Sequence, residues 1–283
     1  MSGAIVVEMT DLDAVLYVRT GCGDAAPELA SRLGDDVEVA RKSGKGRRAA
    51  EARAIGFAFA LGRRDSAAAL PREAVLANAR AIVEATALPV SADLEDGFGA
   101  APETCAETIA LAAEVGLVGG SIEDATGDAA APIFGFAQAV ERVAAAAEAA
   151  RRHPFVLTAR AENFLHGRPD LDDTIRRLQA FAQAGAEVLY APGLPDLAAI
   201  RLVCASVDRP VNVVMGLSGP TWSVAELADS GVRRISVGGS FARAALGALK
   251  RAALEVKEQG TFTYARDAMP ASEAEGYMPQ TGR

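Results

Sequence analysis

Residues 89–99, P-V-S-A-D-L-E-D-G-F-G, place three acids, Asp93, Glu95 and Asp96, directly after a short apolar run. Side chains alternate between the two faces of a strand, so Asp93 and Glu95, two apart, are expected on one face. Converging carboxylates repel one another unless water, a proton or a cation lies between them. A hard divalent cation such as Mg²⁺ meets that need, because it takes oxygen ligands and keeps several waters. On its own the run reads equally well as a solvated turn.

Other chemically capable residues fall at comparable places. Glu123 follows an apolar run at 117–122, Arg160 follows one at 154–159, and Asn212 lies within 210–214. Asp93, Glu95 and Glu123 could hold one Mg²⁺ (or Mn²⁺), directly or through water. Arg160 would face them with a planar fork suited to a carboxylate or phosphonate. A cation beside an arginine favours a small 2-oxo or enol-type anion, whose developing oxyanion it would stabilise. Arg160 has a structural alternative, a salt bridge to Glu162. The S-V-G-G-S turn at 236–240 precedes a helix and offers backbone N–H groups to an anion, or simply lets strand and helix pack closely. His166, in F-L-H-G-R-P-D, is open to acid–base work or to none.

The elements that must position these residues alternate. Strands are expected at 89–93, 117–122, 154–159, 187–190, 210–214 and 234–237. Helices are expected at 71–87, 102–115, 133–152, 171–184, 197–206, 224–230 and 241–259. Such alternation predicts parallel βαβ units. The first ninety residues have room for two more strands, with 14–18 as the opening strand and the glycine-bounded run 56–62 after it. Eight such units make a (β/α)₈ barrel, in which the C-terminal ends of the strands carry the site. The basic run at 41–48, R-K-S-G-K-G-R-R, reads as a solvated linker rather than an anion-binding flap.

Composition narrows the partners. Of 283 residues, 29 are Lys or Arg and 37 Asp or Glu, a net charge of −8 that disfavours nucleic acid. The chain shows no apolar run of membrane-spanning length and no signal peptide, so a cytoplasmic protein is expected. Cys22, Cys105 and Cys204 show neither metal-ligand spacing nor a disulfide framework. Cys105 is expected to serve packing.

The segments S-A-D-L-E-D-G-F-G, G-G-S-I-E-D-A-T-G-D, L-T-A-R-A-E-N-F-L-H-G-R-P-D-L-D-D-T-I-R-R-L, Y-A-P-G-L and P-V-N-V-V closely resemble the isocitrate lyase/phosphoenolpyruvate mutase superfamily. The likeness is to its small bacterial, carboxyvinyl-carboxyphosphonate phosphorylmutase-like members and covers about residues 56–250. It implies a TIM barrel whose last helix is exchanged with a neighbouring subunit, in a homotetramer or homodimer. It also implies a Mg²⁺-dependent lyase or mutase that makes or breaks a C–C or P–C bond through an enolate of a small 2-oxo or phosphono acid. By position, Asp93, Glu95 and Glu123 match metal-binding acids, with Asp65 a looser fourth. Arg160 matches the arginine for the substrate carboxylate, and Asn212, Gly56 and Phe57 match substrate-binding positions.

Departures from the family pattern bear on the reaction. The stretch D-A-T-G-D-A-A-A-P has no Cys, Lys or His where lyases carry K-K-C-G-H, and Gly193 replaces a lyase glutamate. The mutase E-D-K loop is unmatched at 63–69. That leaves decarboxylation or hydrolysis of an oxaloacetate-like acid as the second chemistry, and an impaired anion-binding barrel as the rival class. The N-x-W-D and T-T-S-A-G segments are also missing from the first 55 residues. A reading-frame change or divergence would account for that. The expected layout is therefore an atypical segment at 1–55, a barrel body at 56–259 and a tail at 260–283.

Overall fold

The computed structural model describes residues 4–9, 14–19, 50–52, 70–85, 88–217 and 219–276. The early strands are β1 (Ala4–Met9), β2 (Ala14–Arg19) and β3 (Ala50–Ala52). The main run is β4 (Val90–Asp93), β5 (Gly119–Glu123), β6 (Val156–Arg160), β7 (Val188–Tyr190), β8 (Val211–Val214) and β9 (Arg234–Ser236). All lie in one sheet, ordered β2-β1-β9-β8-β7-β6-β5-β4-β3. Every neighbouring pair is parallel except β1 with β2. The two ends of the sheet approach each other, β3 lying close to both β1 and β2.

Helices α1 (Arg72–Ala85), α2 (Pro102–Glu114), α3 (Phe136–Ala150), α4 (Leu171–Ala184), α5 (Leu197–Ser206) and α6 (Val224–Asp229) alternate with the strands. The α/β alternation from β4 onward is thus as the sequence predicts. α4 shows why it forms. Asp170 caps it by accepting from the Asp173 N–H, and Thr174, Arg177, Leu178, Phe181 and Ala182 make a buried stripe at helical spacing.

The opening strand differs from expectation. The strand beside β9 is Ala4–Met9, and residues 14–18 belong to β2, which pairs antiparallel on the far side of β1. The connection at 10–13 is too short for the crossover that a parallel neighbour requires, so β2 has to turn back. The acids around A-I-V-V-E-M obscured a run that is otherwise apolar and β-branched. The glycine-bounded run at 56–62 and the basic run at 41–48 lie outside the described residues.

Each strand from β4 to β9 has two unlike faces. Ala92, Ile122, Leu157, Leu189, Val213 and Ile235 join one apolar cluster with Ile109, Val143, Phe181, Ile200 and Leu227 of the helices. Cys105 belongs to that cluster too, as packing predicts. The alternate positions are mostly polar, with Val156, Val188 and Val214 among the exceptions. Across five strands one register row reads Glu123, Arg160, Tyr190, Asn212 and Arg234.

The chain divides into two compact units, Met1–Phe241 and Ala242–Arg283. In the second, α7 (Ser240–Gln259) continues to a 3₁₀ turn (Thr263–Arg266) and α8 (Ala271–Gly276). Glu255 accepts hydrogen bonds from Thr261, Thr263 and Tyr264, which turns the tail back onto the end of α7. None of α7's residues is buried, and Leu246 and Leu249 are among its exposed ones. Among the described residues, no helix is long and apolar enough to cross a membrane.

Candidate active site

Arg160, at the end of β6, is the centre of the polar face. It is 7% exposed, and each of its guanidinium nitrogens has an acidic partner. NH1 bonds Asp93 at 3.0 and 2.9 Å, NH2 meets Glu123 Oε2 at 2.9 Å, and Nε meets Glu162 Oε1 at 2.8 Å. The guanidinium also lies 5.0 Å from the centroid of the Tyr190 ring. Asp93 Oδ1 also accepts from Ser121 Oγ at 3.0 Å and from the Glu95 N–H at 3.2 Å. The structure therefore brings together Asp93, Glu123 and Arg160, and it also forms the Arg160–Glu162 bridge that was the structural alternative.

Glu95 arrives by a different route from the one expected. β4 ends at Asp93, Leu94 is fully buried, and Glu95 sits in the following turn with φ of 50°. Strand alternation does not reach it. A left-handed non-glycine residue costs on the order of 1–3 kcal/mol and persists only where its surroundings enforce it. The Glu95 carbonyl accepts from the Glu123 N–H at 2.9 Å, which ties the two acidic strand ends together.

Acids outnumber the base in this cluster. Burial pushes the Glu123 carboxyl well above its usual pKa; Arg160 opposes this, while Glu162, Asp93 and Glu95 add to it. Burial works against the charge on Arg160, but Glu123, Glu162 and Asp93 more than restore it and hold its pKa above the ordinary value. Among the described residues no three His, Cys, Asp or Glu side chains converge as ready-made metal ligands. Arg160 occupies the space between Asp93 and Glu123. The surplus of buried negative charge still fits a divalent cation, and one that keeps its waters and is reached partly through them fits best.

A second layer supports the first. Asp124 accepts from the Glu162 N–H at 2.8 Å and pairs with Arg177 at 2.9 Å. Burial raises the Asp124 pKa to about 6, against those two stabilising contacts. Arg177 also bonds Asp173 at 2.8 Å, and Asp173 accepts from Asn163 at 2.9 Å. Asn212, fully buried on β8, donates to Ser236 Oγ at 3.1 Å, and its Oδ1 has no partner among the described residues.

Ser121 and Tyr190 are absent from the residues picked out by sequence, and Glu162 entered only as a salt-bridge partner of Arg160. A signal for Ser121 existed. It alternates with Glu123 on β5, so it belongs to the face of a residue already chosen, whereas Glu162 lies past the end of β6. His166 lies in the turn after Glu162, its N–H bonded to the Glu162 carbonyl at 3.2 Å. Asp65, Gly56 and Phe57 fall outside the described residues. Gly193, where lyases carry glutamate, has φ of 82°, and a Cβ there would lie 3.0 Å from Leu165 and 3.1 Å from Phe164. A glutamate would be strained in both backbone and space.

Acids and an arginine thus cluster at the strand ends of a parallel α/β sheet. The chain belongs to the phosphoenolpyruvate phosphomutase family, which it matches over residues 39–257. A protein of Burkholderia cenocepacia J2315, provisionally described as a lyase/mutase, is 47% identical with a TM-score of 0.81, over 98% of this chain and 90% of that one. The 2-methylisocitrate lyase of Escherichia coli (strain K12) is 30% identical over 166 residues, 56% of this chain and 55% of the relative. The chain thus spans little more than half the length of that relative. A phosphonopyruvate hydrolase, solved in complex with oxalate and Mg²⁺, shares the fold at 21% identity and a TM-score of 0.71, over 89% of this chain and 93% of that one.

Proposed function

We propose that this chain is a Mg²⁺-dependent lyase or mutase that makes or breaks a C–C or P–C bond in a small 2-oxo or phosphono acid through an enolate. The observation that carries the reading is the cluster of Asp93, Glu123 and Glu162 around one buried arginine, with Glu95 close enough to raise Glu123. Asp93, Glu95 and Glu123, with Asp65 a further candidate, would hold a Mg²⁺ whose charge stabilises the enolate oxyanion. Glu162 keeps Arg160 Nε and so fixes the plane of the fork. NH1 and NH2 present the edge that a substrate carboxylate would take in exchange for Asp93 and Glu123. Asn212, whose amide oxygen has no partner among the described residues, would contact the substrate, and Gly56 and Phe57 would line its other side.

The same reading takes the sheet as a (β/α)₈ barrel, of which β1 and β3 to β9 are the eight parallel strands. It takes α7, with Leu246 and Leu249 exposed, as the helix exchanged within a homo-oligomer. A second chemistry has its own support. The loop after β5 closes on itself through an Ala125–Ile133 bridge, and Gly193, with φ of 82°, supplies no acid. Cleavage that needs no protein acid there, such as decarboxylation or hydrolysis of an oxaloacetate-like acid, fits those two loops.

Assays with oxaloacetate, 2-methylisocitrate and phosphonopyruvate, each with and without Mg²⁺, test the proposal. Turnover of one substrate only with the cation is the expected outcome. Oxalate binding without turnover of any would identify a non-catalytic anion-binding barrel instead. Asp93→Asn should lower Mg²⁺ affinity measured by calorimetry while the fold survives; an unchanged affinity would remove Asp93 from the site.

A further inference from the structure

The turn bearing Glu95 is gripped from behind by side chains that the proposed chemistry does not use. Glu95, Gly97 and Phe98 have φ of 50°, 75° and 62°, so the turn is left-handed at three of four successive residues. The carbonyls of Asp96 and Gly99 both accept from the guanidinium of Arg142 on α3. The Gly97 carbonyl accepts from Thr108 Oγ1 on α2 at 2.8 Å. Arg142 is 1% exposed and Thr108 fully buried.

Arg142 is itself held in place. Its guanidinium lies 4.1 Å from the centroid of the Phe134 ring. The Phe134 N–H donates to the Asp124 carbonyl at 2.8 Å, and its own carbonyl accepts from Arg177 at 3.0 Å. The turn after β4 and the loop after β5 are therefore locked together through one arginine and one ring. Burying a guanidinium against neutral carbonyls is a poor way to gain stability, since an apolar side chain avoids the desolvation. A planar fork spanning two carbonyls of one turn does supply shape.

We infer that Arg142 is a positioning residue for the candidate cation site: it imposes the left-handed turn that brings Glu95 to Asp93 and Glu123. The inference rests on the reading of those acids given under Proposed function. Titrating the full chain with Mn²⁺, followed by electron paramagnetic resonance, tests it. Arg142→Met should weaken Mn²⁺ binding about ten- to a hundredfold, the scale seen when partners behind a metal ligand are removed. Circular dichroism should stay unchanged. Arg142→Lys, which can reach one carbonyl but not both, should fall between. A lowered melting temperature with wild-type Mn²⁺ affinity would mean that Arg142 is merely structural and would overturn the inference alone. If the wild type takes up no Mn²⁺, the cation reading itself falls and this inference with it. Should Arg142→Met not fold, Arg142→Lys and Thr108→Val carry the same test, and wild-type affinity in both overturns it.

Discussion

The two faces of β4 to β9 are both buried, yet they are stabilised by different means. Toward the helices, Leu157, Leu189 and Ile235 meet apolar side chains, and every contact is interchangeable with another of similar volume. On the other face Arg160 is held by Asp93, Glu123 and Glu162, and Asp93 also accepts from Ser121 and the Glu95 N–H. Removing Arg160 leaves three buried acids without their cation. The first face carries the stability of the fold. The second draws on that stability to hold charges out of water.

The sharpest way to break this contrast is at Arg160. Arg160→Met leaves Asp93, Glu123 and Glu162 without their cation, and breaking a buried charge network in this way costs about 3–5 kcal/mol. Urea unfolding at neutral pH should show that loss, and oxalate binding should vanish. Because the penalty comes from ionised carboxylates, added Mg²⁺ should restore part of the stability. A variant as stable as wild type would show that the acids are already neutral and that the face is not charged as described.

Leu157→Ala tests the opposite face. Leu157 is 1% exposed between sheet and helices, so the truncation should cost about 2–5 kcal/mol. Oxalate and Mn²⁺ affinities, measured well below the lowered melting temperature, should remain at wild-type values. Altered ligand affinity would mean that the two faces are coupled through the strand.

That division explains what could be read without coordinates. The strands from β4 onward were legible because each is a short, largely apolar run, and Glu123 and Arg160 stood out because each closes such a run. Asp93 was legible for the same reason. The placement of Glu95 was not, because the strand stops at Asp93 and a turn closed by the Gly97 N–H on the Leu94 carbonyl takes over. β1 was hidden by its acidic surroundings. Arg142 and Arg177 look like the solvent-facing arginines of amphipathic helices. Only packing shows that they reach carbonyls and carboxylates far away in the chain.

The smallest expected effect lies at the edge of the charged face, where burial gives way to solvent. Partial burial of Asp173 works to raise its pKa, but hydrogen bonds from Arg177, Arg176 and Asn163 prevail and hold it at about 2. An unfolded aspartate titrates near 3.9. Between those values the unfolded chain binds the extra proton, so this carboxylate stabilises the fold above about pH 4 and loses that contribution as pH falls toward 2. Asp173→Asn should therefore lower the melting temperature slightly at pH 7 and flatten its decline between pH 4 and pH 2. The same substitution loosens Arg177, which also holds Asp124 and the Phe134 carbonyl. If the charged face depends on this outer support, oxalate affinity should drop a little along with stability. A flattened pH profile with unchanged oxalate affinity would confine Asp173 to stability and end the supporting layer at Asp124 and Arg177.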